Sequence, residues 1–212
     1  MPANGASPTT VFWDVGGVLL TNGWDRGARA RAAQRFNLDI HELEDRHARV
    51  VADFETGRLT LDRYLACTVF HRPRDYTPED LETFMYAQSK PLPDQLHLVR
   101  ALARSGRYRL AMLNNESREL NDHRIATFGL RDIFSVFVSS CFVGLRKPDA
   151  AIYRMALQIT QCPPEESLFI DDRAINLECA SALGMRTIHY RAPEHLRDAL
   201  IGAGVGAQGT LA

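Results

Sequence analysis

The sequence predicts an α/β protein whose core is a doubly wound parallel sheet, with a helical cap inserted into it. Five short apolar runs suited to buried strands occur along the 212-residue chain, and a helical stretch precedes each of the last four. The long interval between the first and second runs contains helix patterns and no convincing strand. Strands that alternate with helices in this way form a parallel sheet with helices on both faces.

The predicted strands are the apolar runs themselves, at residues 10–15, 108–113, 135–139, 167–170 and 186–190. Between the later runs lie helical stretches such as residues 149–158 and 175–183. This alternation is typical of a Rossmann-like core, which we expect to comprise residues 9–21 and 91–201.

Residues 22–90 are expected to form the cap. The helix patterns there cover residues 24–36, 40–54, 60–70 and 78–89. Thr60 and Thr77 suit N-cap positions, and Pro78 suits the first position of a helix. A helical block inserted after the first strand would lie over the carboxyl ends of the strands, where doubly wound folds bind their ligands.

Residues 1–8 and 202–212 are expected to be flexible tails. The first segment is small and polar, and the second is glycine-rich but does not follow a strand, as a dinucleotide-binding loop would. The beginning of the chain lacks the basic and apolar regions of a signal peptide. No apolar run approaches the ~20 residues that a membrane span needs.

The charge balance argues against partners that are bound mainly by electrostatic attraction. Twenty-five Lys and Arg residues face 26 Asp and Glu residues, which gives a net charge of −1. We therefore expect neither a nucleic acid nor a membrane surface as partner, and the oligomeric state is left open. The four cysteines lack the spacing of a zinc or redox motif, and we expect reduced thiols in a cytoplasmic protein.

Carboxylates end two of the predicted strands. Asp14 ends the first apolar run, just before Gly16 and Gly17, and Asp171 and Asp172 end the fourth. Two adjacent acids repel each other unless a cation offsets their charges. If they lie opposite Asp14 on neighbouring strands, these oxygens form a site of the kind that holds Mg²⁺.

Amide and lysine side chains follow two further strands. Asn114 and Asn115 come after the second strand, where an amide can donate a hydrogen bond to an oxyanion, although asparagine is also common in turns. Lys147 comes after the third, and its ammonium can bridge a phosphate and a carboxylate. Mg²⁺, a lysine and amide donors facing a carboxylate are what phosphoryl transfer to an aspartate requires.

Over residues 10–192 the sequence resembles the haloacid dehalogenase-like (HAD) hydrolase superfamily. Four motifs occur in the expected order, including FWDVGGVL at residues 12–19 and FIDDRAIN at residues 169–176. These two motifs resemble the branch that contains sugar-1-phosphate phosphatases and the N-terminal phosphatase domain of soluble epoxide hydrolases. The resemblance implies a Mg²⁺-dependent phosphomonoesterase that acts on a small phosphorylated metabolite.

The resemblance also implies catalytic and substrate-binding roles. Asp14 would attack phosphorus and form an aspartyl-phosphate. Asn114, where the family usually has Ser or Thr, would donate a hydrogen bond to a phosphoryl oxygen, and Asn115 would brace the loop at the substrate. Lys147 would neutralise charge on the phosphate and on the nucleophile.

The implied metal site uses residues from both strand ends. Mg²⁺ would be bound by Asp14, the backbone carbonyl of Gly16 and Asp172. Asp171 would support the ion or Lys147, and Asn176 would lie behind the ligands.

Gly16 departs from the family pattern, which commonly has a second Asp two residues after the nucleophile. That Asp protonates the leaving group and then activates water, and its loss typically removes ~10²–10⁴ in rate. The sequence is compatible with a slow phosphatase limited to good leaving groups, with an acid supplied by the cap, or with a non-catalytic protein that binds a phosphate or metabolite. The cap residues considered for this role are Asp25, Arg26, Asp53 and Glu55.

A 2-haloacid dehalogenase is a further alternative. Such an enzyme also uses an aspartate nucleophile and dispenses with the second Asp. It needs no metal, however, so it leaves the Asp171–Asp172 pair harder to explain.

Overall fold

The computed structural model, which describes residues 7–206, contains one five-stranded parallel sheet. Its strands are β1 (Thr10–Trp13), β2 (Arg109–Asn114), β3 (Val136–Ser139), β4 (Ser167–Asp171) and β5 (Arg186–His189). They lie in the order β3-β2-β1-β4-β5, so that β1 is the central strand. The predicted α/β fold and all five predicted strands are confirmed, with small differences at the strand ends.

Four helices lie between β1 and β2 in the chain: α1 (Arg26–Arg35), α2 (Ile40–Glu55), α3 (Leu61–Thr68) and α4 (Pro78–Ala87). Thr60 and Thr77 are N-caps as predicted, because their side-chain oxygens accept hydrogen bonds from the first turns of α3 and α4. The four helices share a hydrophobic cluster, which Leu120 joins and in which Tyr64 and Leu81 are fully buried.

The remaining helices alternate with the later strands. They are α5 (Pro93–Ser105), α6 (Arg118–Thr127), α7 (Ser140–Val143), α8 (Ala150–Thr160), α9 (Ala174–Ala182) and α10 (Pro193–Gly202). Within residues 7–206, no helix is both long and apolar enough to span a bilayer.

Helices cover both faces of the sheet, as the side-chain alternation of β1 shows. Val11 and Trp13 belong to a buried cluster that includes residues of α5 and α10. Phe12, which points to the opposite face, belongs to a cluster with residues of α8 and α9. Because β1 is buried on both faces, its carboxyl end is held rigidly in the middle of the sheet edge.

The segments next to the described termini pack against the core. Val205 is fully buried, and its N–H donates to the carbonyl of Leu200 at 2.8 Å. The N–H of Gly206 donates to the Tyr108 hydroxyl at 2.9 Å. Val205 joins the cluster beneath α10, so burial of an apolar side chain fixes residues 202–206. Pro8 is also buried, whereas residues 1–6 and 207–212 of the predicted tails lie outside the described residues.

Candidate functional site

A cleft of about 210 Å³ opens at the carboxyl ends of the strands. Trp13 of β1 pairs in register with Ile170 of β4. The next residues, Asp14 and Asp171, therefore emerge side by side at the same edge of the sheet. Asp14, Lys147 and Asp172 all line the cleft, together with residues of α1 and α2.

Lys147 lies between two carboxylates at the floor of this cleft. Its Nζ is 2.6 Å from Oδ2 of Asp171 and 3.1 Å from Oδ1 of Asp14, and the residue is only 2% exposed. Burial opposes the charged form of Lys147, but the charges of Asp14 and Asp171 outweigh it and raise the pKa of the lysine. Lys147 is therefore a fixed positive charge beside the Asp14 carboxylate.

The acidic groups are close enough to share a cation. Asp14, Asp171 and Asp172 each offer a carboxylate oxygen, and these oxygens all lie within 4.8 Å of one another. Burial, reinforced by the two neighbouring acids and opposed by Lys147, raises the pKa of Asp14 to about 7. Burial and Asp171 likewise raise the pKa of Asp172. A divalent cation would offset this repulsion, so the residues fit an Mg²⁺ site.

Two glycines bring the backbone close to this acidic cluster. Gly17 has a φ of +76°, and a Cβ there would overlap the Asp172 carboxylate. Gly16 lines the cleft, and a Cβ there would lie 2.8 Å from Oδ1 of Asn22 and 3.6 Å from Nη1 of Arg124. A side chain at position 16 would therefore point toward the exposed Asn22 and the buried Arg124.

The two asparagines at the end of β2 have different environments. Asn114 does not line the cleft; its amide donates to Asn121 at 3.0 Å and accepts from Ser139 at 2.8 Å. Asn115 lines the cleft, and its side chain bonds both the N–H and the carbonyl of Lys147. Asn115 thus braces the lysine loop, whereas Asn114 does not reach the position that we expected, because its side chain is turned into the protein.

Asn176, which also lines the cleft, holds Asp171 in the layer behind the cleft-facing acids. The Asn176 amide donates to both carboxylate oxygens of Asp171 at 3.0 Å, and the N–H of Arg173 donates to Oδ1 of Asp171. Asp171 is fully buried. These contacts hold Asp171 toward Lys147 and leave Asp172 as the member of the pair that lines the cleft.

An ion pair that sequence reasoning missed lies on the side of Gly16. Arg124 of α6 is 2% exposed and its Nη1 is 2.7 Å from Oε2 of Glu116, while its Nε donates to Ser89 at 3.0 Å. Arg124 and Glu116 both line the cleft. Glu116 follows Asn115 directly and could have been included with the strand-end residues, but no local pattern distinguishes Arg124 from other helical arginines.

The helices α1 and α2 supply the opposite wall. Of the four cap residues considered for proton transfer, Asp25, Arg26 and Glu55 line the cleft. Asp53 does not line it; its carboxylate lies 3.5 Å from Arg58, and both side chains are mostly exposed.

A hydrogen-bond chain fixes one further polar group on this wall. Nε1 of Trp24 donates to the Tyr64 hydroxyl at 2.7 Å, and the same hydroxyl forms a hydrogen bond with Nδ1 of His47 at 2.8 Å. Burial and the charge of Arg29 lower the pKa of His47 to about 4, so the ring is neutral at pH 7. His47 thus lines the cleft as a neutral ring held in place by Tyr64.

The chain that forms this site also matches a known protein family. A family model for haloacid dehalogenase-like hydrolases matches residues 8–184. The chain belongs to this family. The resemblance predicted from the two sequence motifs is thus confirmed, and the five-stranded parallel sheet is the fold of this HAD-like hydrolase.

Curated relatives of this HAD-like hydrolase include two with matches over most of the chain. Bifunctional epoxide hydrolase 2 of Sus scrofa is 25% identical over 199 residues, which cover 85% of this chain and 36% of that protein. Flavin mononucleotide hydrolase 1 of Arabidopsis thaliana is 27% identical over 171 residues, which cover 77% of this chain and 65% of that protein. The chain therefore spans less than two thirds of the length of either relative.

The fold of this HAD-like hydrolase is also similar to solved structures. A HAD family enzyme from Bacteroides thetaiotaomicron superposes with a TM-score of 0.79 at 20% identity, covering 92% of this chain and 99% of the other. That enzyme has also been crystallised with magnesium and inorganic phosphate. At this identity the likeness shows a shared fold.

Proposed function

We propose that this HAD-like hydrolase is a Mg²⁺-dependent phosphomonoesterase that acts on a small phosphorylated metabolite through an aspartyl-phosphate on Asp14. The observation that supports this most directly is the position of the Asp14 carboxylate, 3.1 Å from the buried ammonium of Lys147 and within reach of Asp172. Flavin mononucleotide, after which the Arabidopsis relative is named, is itself a phosphate monoester.

The proposed reaction has two displacements at phosphorus. In the first, an oxygen of Asp14 forms a bond to phosphorus as the bond to the leaving-group oxygen breaks. In the second, water attacks phosphorus and the bond to Asp14 breaks, which releases phosphate and restores the carboxylate. Lys147 holds positive charge beside the reacting oxygens in both steps.

The metal site is assigned to Asp14, Asp172 and the backbone carbonyl of Gly16, with Asp171 directed to Lys147. Bound Mg²⁺ would supply positive charge to the phosphoryl oxygens. Asn115 keeps the Lys147 loop in place. Asn114 supports the end of β2 from inside the protein and is not assigned direct contact with the phosphate.

The division of the chain belongs to the same proposal. Residues 9–21 and 91–201 form the catalytic core, and residues 22–90 act as a cap that covers the cleft and selects the substrate. A cytoplasmic location remains the expectation from the cysteine content.

Gly16 should restrict the range of leaving groups. It provides no carboxyl to protonate a departing oxygen. Such proton transfer typically accelerates a reaction ~10²–10⁴-fold, which corresponds to a barrier lower by ~3–5 kcal/mol. Unless another carboxyl in the cleft donates that proton, we therefore expect an activated aryl phosphate, whose phenolate leaves without a proton, to be a much better substrate than an alkyl phosphate.

Removing the metal provides the test of this function. Turnover of an activated aryl phosphate should require Mg²⁺ and be lost in EDTA, because the clustered acids then repel the phosphate. Saturable binding of Mg²⁺ and phosphate without turnover of any monoester would indicate a non-catalytic binding protein. Release of chloride from chloroacetate in EDTA would indicate a 2-haloacid dehalogenase.

The Gly16→Asp substitution tests whether the missing carboxyl limits the rate. The Asn22 side chain is exposed and can move away from the new Cβ. The new carboxylate would then lie near Arg124, which favours its ionised form and weakens it as an acid. If no other group protonates the leaving oxygen, we expect kcat/KM for an alkyl phosphate to rise about tenfold, less than the full effect of a free general acid; a smaller gain is expected if the cap supplies the acid.

Gly16→Asn is the matched control, since it adds a side chain of the same size without an ionisable group. An equal gain in the Asp and Asn variants would show that proton transfer is not the cause. The comparison requires steady-state kinetics with aryl and alkyl phosphates at saturating Mg²⁺.

A further inference from the structure

The cleft contains a carboxyl group of the cap, that of Glu55, to which the proposed function assigns no role. Glu55 is the last residue of α2, and its side chain lines the cleft together with Asp14 and Lys147. It comes from a helix of the cap, whereas Asp14 and Lys147 follow strands of the core.

The backbone of Glu55 is anchored to the core. The Ser140 hydroxyl donates to the carbonyl of Glu55 at 2.6 Å, and it accepts from the N–H of Glu116 at 2.9 Å. Two residues further on, Gly57 has a φ of +72°, and a Cβ there would lie 2.5 Å from the Cys141 carbonyl. The end of α2 is thus held against the loop that carries Glu116, at the rim of the cleft.

The Glu55 carboxyl makes an ion-pair contact with Arg146 and, among the described residues, no hydrogen bond through its buried Oε2. Nη2 of Arg146 lies 3.2 Å from this oxygen. The other charged groups that face it are Glu116, Arg173 and Lys147. Burial, opposed by Arg146 and reinforced by Glu116, raises the pKa of Glu55, so its acid form persists to higher pH than that of an ordinary glutamic acid.

The other carboxylates near the cleft are occupied. Asp25 caps α1 by accepting from the N–H of Ala28 at 2.7 Å. Glu116 pairs with Arg124 and accepts from the N–H of Ser117. Asp53 lies outside the cleft. Glu55 is therefore the cap carboxyl in the described chain that combines a place in the cleft with a buried oxygen that has an ion-pair contact but no hydrogen bond.

We propose that Glu55 is the acid and base of the reaction, in place of the carboxyl that Gly16 lacks; this rests on the proposed function. As the bond between phosphorus and the leaving oxygen breaks, the Glu55 proton passes to that oxygen and the alcohol departs. As water then attacks phosphorus and the Asp14 bond breaks, a water proton passes to Glu55. Together the two steps convert monoester and water into alcohol and phosphate and restore the acid.

The Glu55→Gln variant tests this proposal, with Asp53→Asn as a matched control two residues away in the same helix. For an alkyl phosphate, kcat/KM of Glu55→Gln should fall about 10²-fold, while for an activated aryl phosphate it should change less than about threefold. With the aryl substrate the variant should release a burst of phenol and then turn over slowly, because the second step lacks its base.

The pH profile separates proton transfer from a structural role. In the wild type, kcat/KM for the alkyl phosphate should fall as pH rises through the pKa of Glu55, and this limb should be absent in Glu55→Gln. Glu55→Asp, which keeps a shorter acid, should retain part of the alkyl phosphate activity. Thermal unfolding of all variants checks that the fold is preserved.

Two results would overturn the assignment of Glu55: equal losses for alkyl and aryl phosphates, or an unchanged pH profile in Glu55→Gln. Either result would leave the proposed function standing as long as the wild type hydrolyses the aryl phosphate with Mg²⁺. A wild type that fails to turn over the aryl phosphate would instead remove the proposed function itself.

Discussion

Replacement of Asp14 by Asn is expected to abolish turnover of an activated aryl phosphate while preserving the fold. The amide has nearly the shape of the carboxylate but cannot attack phosphorus, so the covalent step is lost. Removal of a nucleophile of this kind lowers kcat by at least about 10⁴-fold. The effect on stability should be small, because burial already disfavours the charged form of Asp14 and raises its pKa to about 7.

Two measurements distinguish this outcome from a general loss of function. Steady-state kinetics should show no activity above background for Asp14→Asn and normal activity for the exposed control Asp53→Asn. Acid quenching with a ³²P-labelled substrate should trap label on the wild-type chain and none on the Asp14 variant. Retained turnover, or label on the variant, would remove Asp14 from the mechanism.

Replacement of Lys147 by Met is expected to lower both stability and activity. The substitution leaves Asp14 and Asp171 as like charges in a buried site, because Lys147 is the group that contacts both of them. Removal of one partner from a buried ion pair costs about 3–5 kcal/mol in the free energy of unfolding. Phosphatase activity should also disappear, since the cleft loses its fixed positive charge.

The loss of stability in Lys147→Met should depend on pH. Burial already raises the pKa of Asp14 to about 7, and loss of the ammonium, which opposes this shift, raises it further above the value in the unfolded chain. Stability is then present at low pH, where the Asp14 carboxyl is neutral, and is lost as pH rises through the folded-state pKa. Urea unfolding should therefore show a smaller difference between variant and wild type at pH 5 than at pH 7.5.

Lys90 provides the control, because it is the other lysine of the chain and its side chain is exposed. Lys90→Met should unfold at nearly the same urea concentration as the wild type. A decrease of less than about 1 kcal/mol for Lys147→Met would show that the two carboxylates do not depend on this lysine.

The positions of the strands, and the proximity of Asp14 and Asp172 to Lys147, could be predicted from the sequence for a simple reason. Buried parallel strands are short and apolar on both faces, so their ends are clear in the sequence. All parallel strands end at the same edge of the sheet, so polar residues after different strands must meet there. Asp14, Lys147 and Asp172 therefore share one cleft, although they are far apart in the chain.

The orientation of individual side chains was harder to predict. Successive residues at a strand end point in different directions, and the sequence does not say which of two asparagines faces the ligand. Asn114 faces inward because Ser139, its register partner on β3, and Asn121 satisfy its amide. The Arg124–Glu116 pair depends on how α6 packs, which is a tertiary effect without a local sequence pattern.

The burial of Lys147 has a practical consequence for chemical modification. Of the two lysine side chains in the sequence, Lys90 is open to amine-directed acylating reagents, whereas Lys147 is enclosed by Asp14 and Asp171. Acylation at position 147 can proceed only after both contacts break and the ammonium loses its proton. The ratio of labelling at the two positions, read by mass spectrometry, would thus report how often the floor of the cleft opens.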